Sequence, residues 1–169
     1  LPYEKVQFKS SDGLTLSGWF LPASQPSSQT VLFCHGWGAN KGEVLKGTHA
    51  LRKRGFNLFY FDFRSCGESE GHILSVGTLE AIDFDAAVDF IKSYRPGDSL
   101  GVYGISMGGL VVFAGMTRHK DIKAAILENA YTAHWQAVYQ YIKAKRGMIF
   151  LPVFPFILLW MRLRLGVDL

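Results

Sequence analysis

The stretch "YGISMGGL", Tyr103–Leu110, sets one serine between closely spaced glycines. Gly104, Ser106 and Gly108 make a G-x-S-x-G pattern. A chain of this composition shows that pattern by chance roughly 0.14 times, so its setting has to carry the reading. Upstream, "SLGVYG" is a short apolar run suited to a strand buried on both faces. Downstream, "GGLVVFAGMTRH" continues as a helix. A sharp strand-to-helix turn strains the serine backbone and pushes its hydroxyl out at the end of the sheet. Side chains two residues before and two after would collide there, which explains the glycines. The alternative is an ordinary tight turn with serine as a helix N-cap. A second element weighs against it: "HGWG", His35–Gly38, closes another apolar run, "TVLFC". A glycine-rich turn can aim backbone N–H groups at a substrate oxygen, and an oxyanion hole needs two such donors. The amides of Trp37 and Met107 are the candidates.

Outward from these turns the chain alternates strands and helices. "YEKVQFKS", "SDG" and "LTLSGWFL" read as a hairpin. "TVLFC" is followed by a helical segment that ends on Arg52, Lys53, Arg54 and then Gly55. "FNLFYFDF", Phe56–Phe63, is a second buried strand, and "RSCGESEGH" a loop. Ile82, Ala86, Ala87, Phe90 and Ile91 mark one face of a helix, with Glu80 and Asp83 in its first turn, where the macrodipole favours them. "IKAAILEN" is a fourth buried strand after the serine's helix. The order hairpin-β-α-β-α-β-α-β predicts an α/β domain, a mostly parallel sheet with an N-terminal antiparallel hairpin.

The 169 residues suffice for one domain with a substantial core. Apolar residues make up 49% and charged residues 19%, which excludes a disordered chain. The formal charge of +4 is scattered, apart from a small cluster at Lys143, Lys145 and Arg146. No concentrated basic stripe marks a nucleic-acid partner. Cys34 and Cys66 read as buried free thiols. No Cys/His spacing resembles a metal site, and no cofactor motif is present. The first residue is Leu1, not Met, so an upstream segment is expected; no signal peptide is recognisable in the stretch present.

"FCHGWGANKGE", "FYFDFRSCGESEG" and "VYGISMGGLV", in this order and spacing, resemble the α/β-hydrolase fold. Within it the chain is similar to serine hydrolases of the BEM46-like and serine-aminopeptidase-like groups, from about Tyr3 to Asn129. The resemblance implies a nucleophilic Ser106, an acyl-enzyme, and an ester, thioester or amide as the small-molecule acyl substrate. It also implies a structural role for Asp62 and Arg64 in the "D-x-R-x-x-G-x-S" stretch, with Ser69 turning that loop. His35 is expected to bond to nearby backbone and brace the oxyanion turn. Glu128, at the end of the fourth strand, stands where some relatives carry the triad acid; the alternative is a carboxylate that binds backbone amides. Trp37 and Tyr131 are candidate pocket residues.

The base is harder to find. In this fold the triad runs serine, acid, histidine. After Ser106 come only His119 and His134. His119 closes the serine's helix, roughly 18 Å from the hydroxyl at 1.5 Å per residue. His134 is not in the family's position for the base, and His72 precedes the serine. The resemblance implies two further strands bearing acid and histidine, so the expectation is a fragment open at both ends. Without its base, such a chain is expected to be inactive, since serine is a weak nucleophile at its free pKa. Without those strands, the fourth strand becomes a bare apolar edge prone to pairing.

Residues 1–130 are thus expected to form the hydrolase core, and residues 131–169 a cap or lid. In the tail, Tyr131–Arg146 reads as a helix. The apolar run from Met148 to Met161 is too short for a membrane span and carries two prolines. It suits either a cap with an apolar lining or, through residues 148–165, contact with a membrane surface. The compartment is left between the cytoplasm and a membrane surface. The alternative to an enzyme is a non-catalytic binding or membrane-associated protein on the same fold.

Overall fold

A computed structural model describes residues 2–133, 135–136, 139, 143 and 152–165. The alternating segments Glu4–Lys9 (β1) and Thr15–Leu21 (β2) form the antiparallel hairpin, with Glu4 opposite Phe20. Ser10 closes its turn: its carbonyl accepts from the Gly13 N–H at 2.9 Å and its hydroxyl oxygen from the Leu14 N–H at 3.0 Å.

The continuous apolar runs become Gln29–Cys34 (β3), Asn57–Phe61 (β4) and Ser99–Ile105 (β5), and Ala124–Glu128 is β6. Together they make one sheet in the order β1-β2-β4-β3-β5-β6. β2 joins β4 antiparallel, and from β4 onward all pairs are parallel. β4 stops two residues short of the run Phe56–Phe63. The reason is local: the Phe63 N–H donates to His35 Nε2 at 3.0 Å instead of to a neighbouring strand.

Helices cover both faces, which is why the central strands are apolar on both sides. On one face Leu32, Phe59, Phe61 and Val102 pack with Phe84, Val88 and Ile91 of Glu80–Tyr94 (α2) and Val111 and Val112 of Met107–Gly115 (α3). On the other, Phe33, Leu58 and Tyr60 pack with Val44 and Leu45 of Lys41–Thr48 (α1). After α1 the chain tightens into a 3-10 turn, His49–Arg54, that ends at Gly55 with φ 88°. The Thr48 hydroxyl donates back to the Val44 carbonyl at 2.7 Å, a bond that competes with continuation of the helix. Cys34 and Cys66 are both buried and free.

Glu80 and Asp83 lie in the first turn of α2, as expected, and both are fully buried; the expected burial of β6 needs correction. Glu80 accepts from the Ser75 N–H, the Ser75 hydroxyl and the Gly77 N–H at 2.6–2.8 Å, and Asp83 pairs with Arg64. β6 is a strand, but it is not buried: Ile126 is 63% exposed and Leu127 37%, since among the described residues it has a sheet neighbour on one side only.

Residues 131–169 form a second unit. Of the helix expected over 131–146, residues 131–133 are described and not helical, Trp135, Gln136, Tyr139 and Lys143 are helical, and the others, His134 included, lie outside the described residues. Phe154–Leu165 (α4) is a helix, and Phe154 meets Tyr139 edge-on at 5.6 Å.

The apolar edge of β6 has a measurable consequence. Ile126→Lys is expected to raise the monomer fraction in size-exclusion chromatography with light scattering, because a charge on an edge strand blocks strand addition. Equal self-association of both chains would place the sticky surface elsewhere.

Candidate active site

The register between β3 and β5 builds the site. Cys34 lies opposite Gly104, so the residues that follow β3 run beside those that follow β5. The turn His35–Gly38 therefore reaches Ser106, and a Cβ built on Gly36 would lie 3.6 Å from Ser106 Cβ. Ser106 joins β5 to α3 with φ 53° and ψ −115°, a conformation that non-glycine residues rarely adopt. Its N–H donates to the Glu128 carbonyl at 2.8 Å, and its carbonyl accepts from the Leu110 N–H at 3.1 Å. The side chain is half-buried, and no hydrogen-bond partner of its hydroxyl occurs among the described residues.

The flanking glycines are steric requirements. A Cβ on Gly108 would sit 2.3 Å from the Cys34 carbonyl oxygen and 2.6 Å from that of His35. One on Gly104 would sit 2.5 Å from the Gly108 carbonyl oxygen. α3 thus starts in direct backbone contact with the end of β3, which brings its N-terminus beside the His35–Gly38 turn.

Met107 is the first residue of α3 and is buried; its amide precedes the first intrahelical bond. Trp37 lies in a turn closed by the Ala39 N–H on the Gly36 carbonyl at 3.2 Å, with half of its surface exposed. His35 is fully buried, and both ring nitrogens are engaged. Nδ1 donates to the Gly36 carbonyl at 2.7 Å and Nε2 accepts from the Phe63 N–H at 3.0 Å, an arrangement that selects one neutral tautomer. Burial holds the ring's pKa below its ordinary 6.5. His35 braces the turn and is not available as a base.

The loop after β4 is held by two charge clusters. Asp62 is fully buried and accepts from the Lys41 N–H at 2.8 Å, the Glu68 N–H at 2.9 Å and the Lys41 ammonium. It caps α1 while neutralising Lys41, whose ammonium also meets Glu68 at 2.9 Å and stands 4.7 Å over the Trp19 ring. Arg64 holds Asp83 through Nε and Nη2 at 2.8–3.1 Å and Asp12 through Nη1 and Nη2 at 2.8 and 3.2 Å. Arg64 beside it keeps the Asp12 carboxyl below the usual range. Ser69 ties the loop to β2: its hydroxyl accepts from the Ser17 N–H at 2.9 Å and donates to the Asp62 carbonyl at 2.6 Å. Sequence reasoning missed Lys41 and Asp12. Lys41 reads as a surface lysine and Asp12 as a turn residue; an Asp or Arg that must be buried is the signal that each needs a partner.

Glu128 ends β6 with an exposed side chain, and its carboxylate accepts from the Tyr103 hydroxyl rather than from backbone amides. Burial, with the Glu128 carboxylate adding to it, pushes the Tyr103 hydroxyl up to about 12. No histidine is bonded to Glu128 or Ser106 among the described residues. His119 bonds to Asp85 at 2.8 Å and His72 is exposed in its loop. Cys66 is pushed up to about 11, chiefly by burial, so it stays a thiol at neutral pH. Tyr131 opens the second unit. No group of His, Cys, Asp and Glu side chains suited to a metal ion occurs among the described residues.

Residues 25–165 match the family model described as Serine aminopeptidase, S33 (Hydrolase_4). Similar curated proteins include the uncharacterized protein YfhR of Escherichia coli O157:H7, 30% identical over 140 residues, covering 78% of this chain and 48% of that one. Protein bem46 of Schizosaccharomyces pombe is 29% identical, over 79% of this chain and 46% of its own. Among solved structures, the esterase Pf2001 of Pyrococcus furiosus superposes with a TM-score of 0.74 at 29% identity, over 92% of this chain and 64% of that one. The chain spans about half the length of the curated relatives it matches.

Two measurements check this geometry. Gly108→Ala is expected to cost about 1–3 kcal/mol in urea unfolding. Gly47→Ala, in α1 with no atom within 4 Å of the added carbon, is expected to gain about 0.5–1 kcal/mol. Because His35 resists protonation when folded, the unfolded chain binds more protons below its pKa. Its contribution is therefore complete above about pH 6.5 and lost as pH falls below it, with a slope of at most about 1.4 kcal/mol per pH unit. Urea midpoints between pH 7.5 and 5.5 should show this slope, and His35→Gln should remove it.

Proposed function

The chain belongs to the Serine aminopeptidase, S33, family and has the α/β-hydrolase fold, and from that premise we propose that it acts as a serine hydrolase through Ser106. The Ser106 hydroxyl attacks the carbonyl carbon of an ester, thioester or amide, and its proton passes to a general base. The carbonyl oxygen, now negative, is held by the Trp37 and Met107 amides, with the N-terminus of α3 adding a favourable dipole. Collapse expels the alcohol, thiol or amine with a proton returned from the base. Water then releases the acid from the acyl-enzyme by the reverse sequence. The base comes from outside the described residues; Glu128 is the candidate acid within them.

The observation that supports this most is the conformation of Ser106 beside the His35–Gly38 turn. A satisfied N-cap serine has no need of positive φ, and here no side-chain cap bond is made. That the similar Pyrococcus furiosus protein is an esterase makes carboxylic esters the first substrates to try.

A fluorophosphonate probe tests the nucleophile on a longer chain that carries the base, since the present stretch alone is expected to be inactive. One adduct per chain is expected, located on Ser106 by peptide mass spectrometry and absent from Ser106→Ala. Hydrolysis of a p-nitrophenyl ester is expected to fall on the order of 10⁴-fold in that variant. A folded protein that neither labels nor loses ester turnover on substitution would be a binding protein on this fold.

A further inference from the structure

α4 is apolar around its whole circumference except for two arginines, and helices of that kind occur buried in protein or in contact with lipid. One side is covered: Phe154 meets Tyr139, and Met161 is 7% exposed. The other side is not. Phe156 is 70% exposed, Leu159 54%, Trp160 59% and Leu163 77%. Their spacing of three, four and seven residues puts them on one face. At 100° per residue, Arg164 falls about 90° to one side of that stripe and Arg162 about 110° to the other. Both arginine side chains are exposed.

We propose that this face of α4 docks on a bilayer surface containing anionic phospholipid. Charge complementarity decides the occupant. The arginines border the stripe on both flanks, where their long stems follow the apolar surface and their guanidinium groups meet lipid phosphates. Trp160 lies within the stripe, and its amphipathic ring suits the headgroup boundary. The helix lies in the plane of the interface. Its twelve residues span about 18 Å against the roughly 30 Å of a hydrocarbon core, and among the described residues no helix is long and apolar enough to cross a membrane. Docking here is independent of the reading of Ser106.

Flotation of the full chain with vesicles tests the assignment. Binding is expected to vesicles of phosphatidylcholine with about one-third phosphatidylserine, weaker to phosphatidylcholine alone, and weaker at high salt. Phe156→Ser/Leu163→Ser should lower partitioning by about ten-fold or more. Arg162→Gln/Arg164→Gln should lose the preference for anionic vesicles, about five-fold per arginine. All substituted side chains are exposed, and far-ultraviolet circular dichroism checks that the variants fold. Brominated lipid should quench the parent's fluorescence and should quench Trp160→Phe much less. Absence of flotation, or equal flotation of parent and stripe variant, overturns the proposal. A chain that ignores vesicles but dimerises through the stripe would assign the face to a second copy.

Discussion

The contact on which the structure depends is between backbones, at the start of α3 and the end of β3. Gly108 lies against the carbonyls of Cys34 and His35 with no room for a methyl group. That approach brings the helix N-terminus to the His35–Gly38 turn and obliges the chain to reverse within one residue, Ser106. The positive φ of that serine carries a cost of about 1–3 kcal/mol. It persists because its surroundings hold it from both sides, through the Glu128 carbonyl on its N–H and the Leu110 N–H on its carbonyl. If α3 stood off from β3 by the width of a side chain, the turn and the serine would part.

The second layer of support is electrostatic. Asp62 and Lys41, and Arg64 with Asp83, are withdrawn from water at residues that touch no candidate reacting atom. Buried pairs of this kind add little net stability, while loss of one partner is costly. Their effect is to leave the loop after β4 one arrangement. Through the Phe63 N–H on His35 and the edge-on contact of the two rings, that arrangement reaches the turn beside Ser106. The hairpin turn at Asp12, the N-terminus of α1 and the first turn of α2 are all fastened to the same loop.

Much of this was legible in the sequence because it depends on local rules. Hydrophobic runs and turn glycines located each strand from β1 to β6, and the glycine spacing located the reversal at Ser106. What escaped was the choice of partner. Glu80 and Asp83 stand where a helix dipole favours acids, and local reasoning has no means of knowing that loop amides and Arg64 will enclose them. Lys41 looks like a solvated side chain until Asp62, 21 residues later, is placed against it. The early end of β4 depends on a histidine from the turn after β3. The burial expected of "AAILE" came from its composition, and exposure depends on what stands beside a strand, which composition does not contain.

The hydrogen bond from Ser106 to Glu128 ties the strained serine to the outermost strand of the parallel side. β6 is largely exposed and is paired to β5 over only five residues, so it is the part of the sheet that opens at least cost. Each opening releases the amide that holds the serine in place. Occupancy of that outer edge and the population of molecules with a formed reversal are therefore linked quantities: whatever binds β6 shifts the balance toward the ordered serine, and in equal measure the ordered serine favours whatever binds β6.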